Sequence, residues 1–472
     1  MKPVYCYIVH CANQAFYTGW AKDLQRRIKQ HNAGKGARYT KLNGPVSLVY
    51  WETQPNKISA LRREREIKKY SHLQKKSLVS EWYPQMSAQN PTTQYEYLSI
   101  APGRVNLLGE HIDYNGGSVL PAAIDRNVHL YANPRSDGIV SLTASDLEET
   151  ISFRLDNLEK KMDLNGNPLP EWALFPAGVA WVAQERGYVV SGLEGEFTSN
   201  IPMGSGLSSS AAVEVAFAAL WRELNDWPMD NLELSILCQQ AENQYVGVNC
   251  GLMDQFSVAN GIEHAALLFD TQSHEWQPVY IPKNIAIIIA DSKKRRSLAT
   301  SAYNERREAC EQALTLLKQD LPEINTLNDV SLSEFETYGH KLPPIIYKRA
   351  KHVVEECHRV KQAADCLNKG DVKKFGEFML DGHASLRDLY EVSIPELDTL
   401  VELASQIDGC YGARLSGAGF GGCTVSLVDQ SKANQFIKQL DTGYQKSTGI
   451  KADIYLCQAS QGVIVKWHEH AD

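Results

Sequence analysis

Three stretches of this chain gather residues that can do chemistry on a polar small molecule. Residues 202–212 (PMGSGLSSSAA) place Gly204 and Gly206 ahead of three serines, and the run VEVAFAAL follows. Glycines let a backbone approach a ligand with no Cβ in the way. The serines enter a helix whose first N–H groups lack intrahelical partners and point at the loop, which makes an anion site suited to the β- and γ-phosphates of a nucleotide. No GK[ST] triplet follows, so this is not a Walker A loop. An isolated Gly/Ser loop would read as a plain helix cap; the serine-rich helix entry tips the reading toward phosphate. Residues 101–117 (APGRVNLLGEHIDYNGG) bring Arg104, Glu110, His111 and Asp113 onto one glycine-punctuated backbone. Groups of these types supply the acceptors and donors that polyol hydroxyls require. The plain alternative is a solvated turn with a structural arginine. Residues 412–423 (GARLSGAGFGGC) hold five glycines ahead of the strand-like TVSLV. Alone this is a flexible turn; its expected role is to support the nucleotide loop.

The elements that must position these groups follow from patterning. From residue 97 onward, strand-like and helix-like stretches alternate irregularly, which suits an α+β domain, with two lobes as one option. The first 82 residues read separately as strand (4–9), strand (15–19), helix (22–31), strand (46–52) and charged helix (59–70). Between them, residues 84–95 are polar and include prolines, the composition of a linker. The expected organisation is therefore a domain over 1–83, a linker over 84–95 and a second domain over 96–472.

Charge divides along the same line. Residues 1–85 carry sixteen lysines and arginines against five acids, a net of +11. The remainder carries 32 basic against 51 acidic residues, a net of −19. Nucleic acid is a plausible partner of the first part, and the acidic body is a poor polyanion binder. The 472 residues are 43% apolar and 22% charged, ordinary for globular domains. No run of eighteen apolar residues exists, so no membrane span is expected. The start lacks the apolar core of a signal peptide, and the ten cysteines show no metal-binding spacing. These features give a cytoplasmic reading with reduced thiols, and a monomer is the default oligomeric state.

The three motifs, in this order, resemble those of the GHMP kinases, and RVNLLGEHIDYN closely resembles the signature of the galactokinases. Residues 247–256 (GVNCGLMDQF) are similar to the catalytic loop of that family. Residues 297–310, 349–355 and 385–398 also follow its pattern, so the resemblance spans about residues 96–470. It implies a two-lobed GHMP kinase fold and ATP-dependent phosphorylation of galactose at its anomeric hydroxyl. It implies Asp254 as catalytic base and Arg104 as the stabiliser of the transferring phosphoryl group. Glu110, His111, Ile112, Asp113, Gly251 and Tyr303 would bind or line the sugar. Gly204, Ser205, Gly206, Leu207, Ser208, Ser209 and Ser210 would cradle the phosphates, with Ser210 and Glu242 holding Mg²⁺. Ile112 departs from the family's usual threonine. Residues 293–296 (KKRR) replace a more neutral stretch and read as a solvated charge run, with phosphate contact as the alternative. Competing functions are a kinase for N-acetylgalactosamine or arabinose, and a non-catalytic kinase-like regulator.

Residues 4–82 resemble the short form of the GIY-YIG nuclease domain. The matching stretches are residues 4–8 (VYCYI), 17–19 (YTG), 23–31 (DLQRRIKQH) and 60–64 (ALRRE). The resemblance implies that Tyr7, Tyr17, Arg27, His31 and Glu64 cluster around a scissile phosphate, with Glu64 on a divalent metal. Arg27 and His31 lie i and i+4, on one helix face. The first family triplet lacks its glycine here, which leaves a nucleic-acid-binding module as the alternative to a nuclease.

Overall fold

The computed structural model describes residues 4–11, 15–22, 24–32, 35–43, 46–54, 56–70, 75, 78–79, 95–202, 204–295 and 299–467. The chain divides into two compact units, Met1–Gln94 and Tyr95–Asp472. The expected linker, apart from Tyr95, lies outside the described residues.

In the first unit, strand Val4–Cys11 pairs antiparallel with both Phe16–Ala21 and Val46–Gln54. Helices Leu24–Asn32 and Lys57–Lys68 accompany this sheet, as the patterning predicts to within a few residues at each end. The second helix begins earlier than expected because the Asn56 side chain accepts a hydrogen bond from Ser59 N–H at 3.0 Å, an N-cap. A short helix, Arg38–Leu42, was not legible in the sequence; five residues are too few to show a period.

The second unit has two lobes of mixed helix and sheet. Six strands order as Ile464–Trp467, Tyr97–Asn106, Pro121–Arg135, Gly192–Ser199, Ile139–Ala144 and Glu149–Arg154. Every neighbouring pair is antiparallel except Ile139–Ala144 with Gly192–Ser199. Helix Ser209–Leu224 packs on this sheet and against helices Glu171–Glu185, Asn231–Gln240 and Met253–Asn260. It is apolar nearly all round, and residues 211–221 are buried apart from Val213, as expected of a helix enclosed on every side. Glu214 is the one charged residue of that buried stretch.

The other lobe is built on an antiparallel sheet ordered Cys410–Ser416, Cys423–Asp429, Ile285–Asp291 and Asp453–Cys457. The β-branched run of Ile285–Asp291 is buried at every position, the pattern of a central strand covered on both faces. Helices Pro395–Gln406 and Ala433–Thr448 share one core with this sheet. Helices Ala299–Leu317, Pro344–Asn368 and Val372–Ser385 pack together alongside. The 101–117 motif leaves the six-stranded sheet, and the 412–423 motif leaves the four-stranded one.

Candidate functional site: an arginine–aspartate pair beside a polar cavity

Strand Tyr97–Asn106 breaks register between Pro102 and Gly103, just before Arg104. A Cβ on Gly103 would lie 2.8 Å from the Leu207 carbonyl oxygen, so glycine is what lets this strand meet the serine-rich loop. The Arg104 backbone N–H donates to that same oxygen at 3.1 Å. The buried Arg104 side chain donates from Nε and Nη2 to Asp254 Oδ1, at 2.8 and 2.6 Å, and from Nη1 to the Gly206 carbonyl at 2.5 Å. Ser208 sits at the N-cap of helix Ser209–Leu224 with φ +58° and makes no cap bond. Its hydroxyl instead donates to Asp254 Oδ2 at 2.6 Å. Asp254 lies in the first turn of helix Met253–Asn260. Glycine loop, guanidinium and carboxylate are thus tied by charge-assisted hydrogen bonds before any ligand arrives.

A cavity of about 400 Å³ opens beside the pair, lined by Arg104, Asp254, Glu242, Asp113, Gly251 and Tyr303, among others. Such a volume suits a small polar ligand. The Asp113 carboxyl rests against Gly251, where a Cβ would fall 1.9 Å from its Oδ2. Burial, with help from the Asp254 charge, pushes Asp113 up to about 6.

Glu110 and His111 also border the cavity, but both are bonded within the protein. Glu110 Oε1 accepts from Gly417 N–H at 2.9 Å, and Oε2 accepts from Asn106 Nδ2 at 2.6 Å. Burial outweighs the nearby Arg414 and pushes Glu110 up to about 7. His111 Nε2 lies 3.1 Å from the Ala418 carbonyl, which can only accept, so Nε2 carries the proton. Nδ1 then accepts from the Tyr114 hydroxyl at 2.8 Å. Burial pushes the imidazole down to about 3, and it is neutral. The 412–423 loop is thereby fastened to the 101–117 loop. It also packs against the serine-rich loop: Cβ atoms on Gly417 and Gly422 would lie 3.4 and 3.2 Å from the carbonyls of Gly206 and Ser205.

Some residues expected at the site are turned away. The Ile112 side chain is fully buried in the main core rather than in the cavity wall. His111 has φ +64°, and the twist sends its neighbour inward. Leu207 is a core residue that offers only backbone, and the Ser205 hydroxyl donates inward to Pro202 O at 2.6 Å. The basic run is exposed over residues 293–295, as a solvated run should be, and its side chains make surface ion pairs. Lys293 pairs with Asp453, Lys294 with Glu396 at 3.3 Å and Arg295 with Asp291 at 2.7 Å. Arg296 lies outside the described residues.

Glu242 sits in a π-helical turn, Ala241–Val246. Its Oε2 accepts from Gln255 Nε2 at 2.6 Å, and the same amide nitrogen reaches Glu214 Oε2 at 3.0 Å. Burial and the Asp254 charge push Glu242 up to about 7, while a hydrogen bond from Ser210 opposes them. Glu214 Oε1 has no hydrogen-bond partner among the described residues. Burial also pushes Glu214 up, so the two carboxyls crowd together without full charge, and an oxygen donor set of this kind would suit Mg²⁺. Among the described residues no group of three or more His, Cys, Asp or Glu side chains could hold a metal ion. Glu214 and Gln255 escaped the sequence reading; the lone acid inside an apolar helix was the available signal.

In the first unit, four of the five expected residues meet. Tyr7 OH and His31 Nε2 lie 2.8 Å apart, Arg27 Nε donates to Tyr7 OH at 3.4 Å, and the Tyr17 ring stands edge-on to His31 at 5.4 Å. A Cβ on Gly19 would lie 2.6 Å from the Tyr7 hydroxyl. The Thr40 hydroxyl donates to Ala37 O, so His31 Nδ1–H donates to Thr40 Oγ1 at 2.5 Å. His31 Nε2 is then free to accept from Tyr7. Burial lowers the His31 pKa and pushes Tyr7 up to about 12. Glu64 is buried and close enough for its charge to bear on Tyr7, but it is paired with Lys68 at 2.7 Å.

Comparison with known proteins agrees with this geometry. Residues 90–134 match the galactokinase galactose-binding signature, residues 175–261 the GHMP kinase N-terminal domain, and residues 363–446 the GHMP kinase C-terminal domain. A galactokinase of Roseiflexus sp. (strain RS-1) is 45% identical over 363 residues, 77% of this chain and 91% of that protein. The chain belongs to the galactokinase family. A galactokinase of Chloroflexus aggregans is 43% identical over 78% of this chain and 92% of its own length. The crystal structure of Lactococcus lactis galactokinase complexed with galactose superposes with a TM-score of 0.74 at 35% identity, covering 82% of this chain and 99% of that one. A mevalonate kinase of Methanococcus jannaschii, at 19% identity and a TM-score of 0.55, shares the fold. Residues 3–77 match the GIY-YIG catalytic domain. The chain is thus a kinase-type transferase of α+β GHMP fold, with a GIY-YIG-like stretch at residues 3–77. Among the described residues no helix is long and apolar enough to cross a membrane, and all ten cysteines are free thiols.

Proposed function

We propose that the 400 Å³ cavity binds galactose and that the chain transfers the γ-phosphoryl group of ATP to its anomeric hydroxyl. The bonding of Arg104 to both Asp254 and Gly206 carries this reading: a carboxylate that could act as base, a guanidinium and the glycine–serine loop meet around one point. The Asp254 carboxylate takes the anomeric proton as the sugar oxygen attacks the γ-phosphorus. The bond from phosphorus to the β,γ-bridging oxygen breaks, and ADP leaves. Arg104 lies against the developing charge, and such transfers are governed by alignment and charge neutralisation. Mg²⁺, held by Ser210 and Glu242, would neutralise the phosphates when bound. The Asp113 carboxylate is free to accept from sugar hydroxyls, and Tyr303 closes one wall. The test is ADP release with a panel of galactose, N-acetylgalactosamine, arabinose and glucose. Galactose should be the best substrate. Preference for another sugar would reassign the substrate, and failure with all would favour the non-catalytic regulator.

The pH dependence has a definite sign. Asp113 is pushed up to about 6 and Glu242 to about 7 in the unliganded protein. Both act as carboxylates, so each contributes fully above its pKa and is lost as pH falls through it. At galactose well below its KM, the rate should fall at least about tenfold between pH 8 and pH 5.5. The linkage to stability runs the other way. A carboxyl with a raised pKa binds its proton more tightly when folded, so the unliganded fold is penalised as pH rises through 6 to 7. The thermal shift produced by galactose with Mg-ATP should therefore grow over that interval. A flat shift and a flat rate profile would contradict the assignment of both carboxyls.

For the first unit, we infer a metal-dependent nuclease acting on DNA. The bonding of neutral His31 Nε2 to the Tyr7 hydroxyl favours it, since His31 can take the Tyr7 proton as Tyr7 takes one from water. Arg27, bonded to the same hydroxyl, would meet the phosphate. The full chain should nick supercoiled DNA with Mg²⁺ or Mn²⁺, and Glu64→Ala should abolish this while leaving kinase turnover intact. Tight DNA binding without cleavage would make the unit a binding module.

A further inference from the structure

Glu110 is buried and borders the sugar cavity, yet its neighbours are not local. Arg414 Nη2 lies 2.8 Å from Glu110 Oε2, and Arg414 is itself fully buried. Glu356, also fully buried, stands on the far side of that guanidinium at 3.9 Å. Glu356 Oε1 accepts the Gly109 backbone N–H at 2.9 Å, one residue before Glu110. Glu356 Oε2 pairs with Arg359, three residues along helix Pro344–Asn368. From that helix, His352 donates from Nε2 to the Glu110 carbonyl at 3.2 Å. Arg359 also lines a separate cavity, with Glu355, Phe378 and Asp381 among its neighbours there. The four charges alternate: Arg359, Glu356, Arg414, Glu110. None of the three Arg414 nitrogens has an aligned hydrogen-bond partner among the described residues. Its compensation therefore comes from the proximity of two carboxylates rather than from bonds. A buried guanidinium in that position is sensitive to loss of either one.

We propose that Glu356, balanced by Arg359, is a positioning residue for sugar recognition. It fixes the Gly109–His111 backbone through the Gly109 N–H and fixes Glu110 through Arg414. With Glu110 ionised the line of four sums to zero charge, and Glu355, 4.0 Å from Arg359, is itself paired with Lys351. Removing Glu356 alone leaves Arg414 and Arg359 in excess, and removing Arg359 alone leaves the carboxylates in excess. Removing both leaves Arg414 with Glu110, which is balanced again. A residue that only filled space would show no such compensation. The proposal rests on the reading of Glu110 as part of the galactose site.

The test compares Glu356→Gln, Arg359→Met and the double variant in the full chain, with Glu110→Gln as reference. The glutamine keeps an oxygen for the Gly109 N–H, removes the charge and replaces the oxygen that accepts from Arg359. Glu356→Gln should raise the galactose KM by about tenfold or more, with the ATP KM within about twofold, because loss of one partner strands a buried charge. The double variant should recover most of that loss. Arg359→Met, at the cavity edge, keeps the test alive should Glu356→Gln fail to fold; alone it should raise the galactose KM by about threefold or more. An unchanged galactose KM in both single variants, or a double variant no better than Glu356→Gln, overturns the proposal. If Glu110→Gln itself leaves the galactose KM unchanged, the fault lies in the reading of Glu110 instead.

Discussion

Asp254→Asn is expected to lower kcat by about 10²–10⁴ while the galactose KM stays within about threefold, since general-base assistance contributes that much to rate. The asparagine oxygen can still accept from Arg104 Nε and Nη2, which now bond Asp254 Oδ1 at 2.8 and 2.6 Å. Its amide nitrogen can donate to the Ser208 oxygen in place of the present 2.6 Å bond. The loop and the helix start therefore keep their connections, and the fold should hold. What is lost is the lone pair that takes the anomeric proton, together with the charge that Arg104 now balances. Steady-state kinetics with a direct measurement of galactose binding separates the two effects. Near-normal kcat would remove Asp254 from the catalytic role. Lost binding with unchanged kcat would make it a sugar ligand instead.

Gly251→Ala should act on the other parameter. A Cβ at this position would fall 1.9 Å from Asp113 Oδ2 and 2.8 Å from its Cγ. No rotation of a methyl group avoids that overlap, so the Asp113 carboxyl must move. Misplacing a substrate-binding group by about 1 Å can cost about 10² in kcat/KM. The expected result is a galactose KM higher by about that factor, with the ATP KM near its original value. Because Asp113 borders a cavity, the carboxyl can yield without unfolding its surroundings. The melting temperature should change little. A normal galactose KM would mean that Asp113 does not hold the sugar.

The sequence carried the local half of this site well. Glycines, serines and the Arg–Glu–His–Asp cluster are patterns within short windows, and the helix Ser209–Leu224 starts where the serine run predicts. Strand Cys423–Asp429 likewise follows the glycine-rich turn directly. The other half depends on contacts between distant residues. Residues 293–295 are exposed, as a solvated run should be, but nothing in them announces Asp453, Glu396 and Asp291 as ion-pair partners. Nothing near Glu110 points to Arg414 or Glu356, which are brought there by a different sheet and a different helix. Ile112 failed for a local reason that composition hides. It lies between two polar residues, but the left-handed backbone at His111 turns its side chain to the core. In the first unit, helix periodicity correctly placed Arg27 and His31 together. Only the fold revealed that Thr40 fixes the His31 proton on Nδ1 and leaves Nε2 to the tyrosine.

The central claim is transfer of phosphate to the anomeric oxygen of galactose by the Arg104–Asp254 pair. Phosphorus and proton NMR of the product from the full chain, galactose and Mg-ATP tests it directly. The expected spectrum shows one new sugar phosphate whose phosphorus couples to the anomeric proton, formed in step with ADP and absent in Asp254→Asn. Coupling to the C6 protons, or ADP and free phosphate with no sugar ester, would contradict it.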